Sequence, residues 1–276
     1  MSLSGKDGSK LATNLKELGE TKSIFGGLFS KDAAVSGLMH ATLPESIRKA
    51  LAPLVDESAR KELEKEKDPT KREQAEKFFK AVEPAIKAGE LDVAGTMRGP
   101  NKQGHYTIVA GVKLKSAKNI ENILRDVFNQ LPEKDRAEFK LDAESSGETK
   151  IHRVDVKNTD PEAARLFGSK PVYFAFRSDA VLVGAGADGL TALKDALKVE
   201  PKTAPPVLVE LSLAHLAQAL AKDQKAAPYA AKAAFKDDPD GGKIRVAVEG
   251  GTSLKIRMEM KTNVIKFFSL LDRAEK

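Results

Sequence analysis

The chain has no cysteine and no tryptophan among its 276 residues. The first absence excludes disulfides, thiolate nucleophiles and Cys-ligated zinc or iron–sulfur centres, and with them thiol and redox enzymes. No run approaches the ~18 consecutive apolar residues that a membrane span requires. The opening Met1-Ser2-Leu3-Ser4-Gly5-Lys6 lacks the form of a signal peptide and resembles an added cloning sequence, so it says little about where the native protein resides. An excess of one charge is nearly lacking too. Lys and Arg number 46 against 40 Asp and Glu, a net +6. The densest charged stretch, Asp56 to Glu73, mixes both signs, as a solvated helix surface does. What is present is 41% hydrophobic and 31% charged residues, a globular composition on a chain long enough to bury a core.

The hydrophobic period divides the chain. In the first 40 residues, rich in Gly, Ser and Lys, short apolar islands such as Leu11, Leu15 and Leu18 predict one short helix and a loop at Gly26-Gly27. Pro44 opens a helix with Ile47, Leu51, Leu54 and Val55 on one face. From Pro69 to Ala88, the residues Ala75, Phe78, Phe79, Val82 and Ile86 repeat that pattern, and Gly89 closes the helix. No strand is expected before residue 89. Beyond it the period falls to two. Tyr106, Ile108, Ala110, Val112 and Leu114 share one strand face, while Leu254, Ile256, Met258 and Met260 alternate with Lys255, Arg257, Glu259 and Lys261. One dry and one wet face mark an antiparallel sheet covered on one side. Three strand-strand-helix units follow, with second strands at 106, 180 and 254, which suggests an internally duplicated α+β layer. The expected fold is α+β: an antiparallel sheet with helices on one face, built from these units, plus a helical N-terminal region. Its expected divisions are 1–40, flexible and partly helical; 41–88, helical; and 89–276, the sheet domain.

The motifs "GELDVAGTMRGP", "HYTIVAGVKLK", "KIHRVDV" and "LFGSKPVYFAFRSDAVLVGAGADGLTALKDAL" within residues 89–197 resemble a group of uncharacterised exported proteins of planctomycete-type bacteria. The resemblance implies export, to the periplasm or cell surface, and a non-catalytic role; it carries no functional residues over.

Several patterns imitate functional sites. Gly184-Ala185-Gly186-Ala187-Asp188-Gly189 is a G-x-G-x-x-G between a strand and a helix, where Gly184, Gly186 and Gly189 would cradle a nucleotide phosphate. Against this, the strand before it pairs as a hairpin through Arg177-Ser178-Asp179, and Asp188 places a carboxylate at the phosphate position, where it reads better as a helix N-cap. Asp237-Asp238-Pro239-Asp240-Gly241-Gly242 fails as a calcium loop, because Lys236 and Ala247 fall where carboxylates are required. The four histidines, His40, His105, His152 and His215, show no metal-ligand spacing, and His152 reads as a core histidine.

Lys243, Arg245, Lys255, Arg257 and Lys261 form a basic strand face open to an acidic polymer or protein partner. Nucleic acid is not expected there, since no aromatics are interleaved for base stacking. With no intact catalytic constellation, no cofactor and no metal expected, the leading expectation is a non-enzymatic binding or structural module of an exported protein. The alternatives are a phosphate-ligand site at Gly184–Gly189 and a carrier of apolar ligands in the space between sheet and helices.

Overall fold

A computed structural model describes residues 2–30, 32–156 and 160–274. The first part of the chain forms β1 (Ser2–Ser4), α1 (Lys10–Glu20), β2 (Lys22–Ser23), β3 (Ala33–Thr42), α2 (Glu45–Lys65) and α3 (Pro69–Ala88). Next come β4 (Glu90–Arg98), β5 (Thr107–Lys113), α4 (Ala117–Gln130), α5 (Glu133–Arg136), β6 (Phe139–Ser146) and β7 (Thr149–Val154). These lead to α6 (Pro161–Phe167), β8 (Val172–Phe176), β9 (Ala180–Gly186), α7 (Gly189–Ala196), β10 (Lys202–Thr203) and β11 (Val207–Ser212). The chain continues through α8 (Leu213–Leu220), α9 (Ala227–Phe235), a 3-10 turn at Pro239–Gly242, β12 (Lys243–Glu249), β13 (Ser253–Met260) and α10 (Thr262–Ala274).

Eleven strands make one antiparallel sheet in the order β1-β13-β12-β11-β3-β4-β5-β9-β8-β7-β6. The α+β class and the three strand-strand-helix units are as the alternation and turn residues require. Helices pack around the sheet, beyond the single face expected: α7 places Ala192, Leu193 and Ala196 against Leu182, Ala175 and Ile151, while α4 places Ile120 against Phe176 on the opposite face. A second cluster joins α8, α9 and α10 through Leu213, Ala230, Phe235 and Phe267 beside Ile244.

The expectation that no strand precedes residue 89 is corrected by β3, which lies inside the sheet between β11 and β4. The division at residue 40 therefore falls within a strand. β3 reads Ala-Ala-Val-Ser-Gly-Leu-Met-His-Ala-Thr, poor in β-branched residues, and it turns Ser36 and His40 into the core. Its strand state comes from its two neighbours rather than from local propensity.

The helices α2 and α3 form a hairpin inserted between β3 and β4. Its ends meet where the Leu43 N–H donates to the Gly89 carbonyl at 2.9 Å, and Gly89 adopts the left-handed φ of 65° that its C-cap position needs. Neither helix has a buried residue among those described.

Candidate functional site

The two faces of the sheet differ in a way that defines the site. On one face, Leu208, Leu38, Ala94, Gly111 and Leu182 stand opposite one another across consecutive strands and are buried under α7, Phe25 and Leu28. The polar side chains at the centre of this face are paired internally, while the Ser212 Oγ at the end of β11 is buried without a hydrogen-bond partner. Ser36 and Thr96 share a 3.1 Å hydrogen bond; Thr107 accepts from the Asp188 N–H at 3.0 Å; Asp92 accepts from Ser23 Oγ at 2.6 Å and from the Ile24 N–H at 2.8 Å. His40 lies opposite Asp92 but bonds Thr21 and the Ala204 carbonyl instead, so Ser23, His40 and Asp92 are a sealed structural set and not a catalytic relay.

The other face is different in kind. Register places three apolar rows side by side across seven strands from β13 to β9. The first is Ile256, Val248, Val207, Met39, Val93, Val112 and Val181. The second is Met258, Val246, Val209, Gly37, Gly95, Ala110 and Val183. The third is Met260, Ile244, Leu211, Val35, Met97, Ile108 and Ala185. None of these positions is polar and none is buried. At a strand spacing of ~4.8 Å the rows are roughly 30 Å wide; Met39, Val112, Val209, Ile256, Met258 and Met260 are exposed along them, while Ile244 packs against the α8–α10 cluster and Val181 against α4. The apolar side of β13, which the sequence assigned as the dry face, is thus the open one: Ile256, Met258 and Met260 are each about half exposed, while Ala247, on the cationic side of β12, is buried.

Where this face meets the α2–α3 hairpin, a cavity of about 660 Å³ opens. Leu51, Leu54, Val55, Phe78, Phe79, Val82 and Ile86 line its roof; Leu91, Val112 and Leu114 line its floor. The roof residues are the helix stripes read from the sequence. Normally such a stripe closes on the sheet, but here it stands off, leaving Leu51, Leu54, Phe78 and Ile86 exposed. Ser116 Oγ donates to the Ala81 carbonyl and so ties α3 to the start of α4, in place of capping its own helix. The volume falls in the range of small-molecule sites, and the lining is predominantly aliphatic and aromatic, as such sites are. At the margin, Lys87 is held by Asp56 at 2.7 Å and Glu83 at 2.6 Å, and Lys113 by Glu90 at 3.0 Å.

The residues singled out by sequence lie elsewhere. The three motif glycines serve packing. A Cβ on Gly184 would lie 2.3 Å from the Gly189 carbonyl oxygen, one on Gly186, at φ 92°, would lie 2.2 Å from that of Tyr106, and one on Gly189 would lie 3.1 Å from the Gly184 carbonyl carbon. The Ala187 and Asp188 N–H groups are taken by the Tyr106 carbonyl and Thr107, so the turn offers no vacant donors there to a phosphate. Asp188 occupies the N-cap position without a side-chain cap bond.

Four cations of the basic face are neutralised. Lys243 meets Asp240 at 2.7 Å, Lys261 meets Asp238 at 2.9 Å, Arg245 meets Glu210 at 3.3 Å, and Arg257 meets Glu249 at 3.4 Å. Lys255 stands opposite Glu249 across the strand pair.

One titratable cluster escaped the sequence reading because its members are distant in the chain. Glu121 of α4, Asp142 at the β6 irregularity and His152 of β7 hold ligand-type atoms within 4.8 Å of one another. The Arg125 guanidinium already bridges the two carboxylates, at 2.8 Å to Glu121 and 2.6 Å to Asp142, occupying the place a metal cation would take. His152 is fully buried; its Nδ1 accepts from the Asp142 N–H at 3.2 Å, and Nε2 lies 3.3 Å from Glu121 without hydrogen-bond alignment. Burial holds this imidazole below its ordinary pKa of 6.5, against the pull of the Glu121 carboxylate. Hydrogen bonding from Arg125 holds Asp142 below the usual carboxylate range. The cluster works as an ion-paired clamp of α4 on the sheet.

Among the described residues no helix is long and apolar enough to cross a membrane. In comparison with known proteins, no protein-family model, no curated protein and no solved structure matches the chain.

Proposed function

We propose that the protein is a non-enzymatic binding module that carries an apolar ligand with an aliphatic chain, held in the cavity between the α2–α3 hairpin and the sheet. One observation carries this reading: the roof and the floor of the 660 Å³ cavity are both apolar, and neither buries the other. Water against such walls is displaced favourably by about 0.8 kcal/mol for each methylene group that replaces it. The open face continues from Val112 to Val93, Met39 and Val207 without a polar interruption, so a chain longer than the cavity still meets apolar surface. Export, on the strength of the sequence resemblance, belongs to the same reading, and a leader peptide in the encoded precursor is its check.

The test is ligand content. Native mass spectrometry of the purified protein, followed by titration of the delipidated protein with a fluorescent fatty acid, should find one saturable site. Val112→Arg, which places a charge on the cavity floor at a surface that is not buried, should weaken binding at least about tenfold and leave the thermal melt nearly unchanged. A wild-type protein that binds no aliphatic ligand would end this proposal.

A further inference from the structure

The cavity lining carries seven charged side chains besides its apolar walls, and of its three cations Arg48 alone has no acid paired to it among the described residues. Arg48, on the first turns of α2, lines the cavity close to the neck where the hairpin leaves the sheet. The Arg48 Nε is shut off from solvent and has no hydrogen-bond partner, and Nη1 reaches only the Ala88 carbonyl, at 3.4 Å. Among the described residues it has no ion-pair partner. Its cationic neighbours on the same wall, Lys87 and Lys113, are each held by acids. Space for the stem is provided by Gly89, where a Cβ would fall 2.6 Å from both Cγ and Cδ of Arg48.

The Arg48 Nε, withdrawn from water without an acceptor, loses hydration at that atom, and a carboxylate can restore a hydrogen bond there while balancing the charge, often through two parallel N–H···O contacts. On the basis of the carrier reading above, we infer that the ligand is a single-chain aliphatic carboxylate whose head group pairs with Arg48 while its chain lies between α2, α3 and the floor at Leu91 and Val112. Arg48 then determines specificity at the neck, and the apolar walls supply affinity that does not discriminate between head groups.

Titration of the delipidated full chain with laurate and with lauryl alcohol, the same chain with and without the charge, separates the two contributions. Laurate should bind on the order of tenfold more tightly than the alcohol. Arg48→Gln should abolish that preference by weakening laurate alone, and Arg48→Lys should restore part of it; the thermal melt of each variant checks that the hairpin is intact. Equal affinity of the wild type for acid and alcohol overturns the inference, and so does an Arg48→Gln variant that loses both ligands equally. Tighter binding of lauryl phosphate than of laurate overturns the assignment of the head as a carboxylate. If neither laurate nor its alcohol binds, the carrier reading itself fails, a result distinct from the loss of head-group preference.

Discussion

The two faces of the one sheet invert the ordinary distribution of polarity. The sealed face contains Ser36, His40, Asp92, Thr96 and Thr107, each hydrogen-bonded, whereas the opposite face, covered only in part, presents apolar side chains over seven strands. A sealed layer tolerates polar groups when their bonds are completed inside the protein. An open layer has no such demand, and water would favour polar residues there. The contrast teaches that the apolar face is not an incidental surface: its composition suits a partner that is not water.

That comparison is most sharply tested by side chains from opposite faces. Leu182, fully buried against α7, should cost about 2–5 kcal/mol when changed to Ala, because its removal leaves a cavity. Val209, at 36% exposure on the open face, should cost less than about 1 kcal/mol for the same truncation. Urea denaturation measures both. Similar losses at the two positions would mean that the open face is covered in solution, and the comparison would break.

A middle-sized effect concerns the part of the open side that α4 does cover. His152 is held neutral there by burial, with a pKa below 6.5. The unfolded chain takes up a proton as pH falls through 6.5 while the folded protein does not, so the stabilising contribution is complete above that value and declines towards the lowered folded-state pKa. Asp142, lowered by Arg125 from 3.8, adds a loss of the same sign at more acidic pH. Stability measured against pH should therefore fall on acidification below about 6.5. Substitution His152→Phe should flatten the upper part of that fall; an unchanged profile would separate His152 from the effect.

The smallest expected effect on stability belongs to Met258→Lys, on β13, where the side chain is 59% exposed. The melt should move by no more than about 0.5 kcal/mol, while binding of a dye specific for apolar surface should drop. A large destabilisation would show that β13 has a hidden cover.

Much of this architecture is legible in the residues. Val172–Phe176 and the turn at Arg177-Ser178-Asp179 define the β8–β9 hairpin, and the stripe ending at Gly89 defines α3. β3 is not legible, because Ala, Ser and Gly fill half of it and its inward side chains include Ser36 and His40. The cavity is legible only in halves. Leu51, Phe79 and Ile86 announce a helix stripe, and Val112 and Leu114 announce a strand face, but periodicity identifies which residues share a side without saying whether that side is covered. The β13 alternation misled for the same reason: apolar was equated with inside. Arg48 gives no sequence signal, since what distinguishes it is the absence of a partner, a property of three-dimensional placement.

The insertion point of the helical hairpin has a consequence for how such a protein can diversify. Thr42 and Glu90 are paired neighbours in the sheet, and the stretch between them leaves and returns at the Leu43–Gly89 contact, leaning on α4 through Ala81 and Val82. Genetically this is a cassette. The stretch can be exchanged for a helical arm of another length or lining, or replaced by a short reverse turn, while the ladder between β3 and β4 stays intact. Selection acting on that stretch can change what the protein holds provided the replacement keeps a surface for α4 where Ala81 and Val82 now pack.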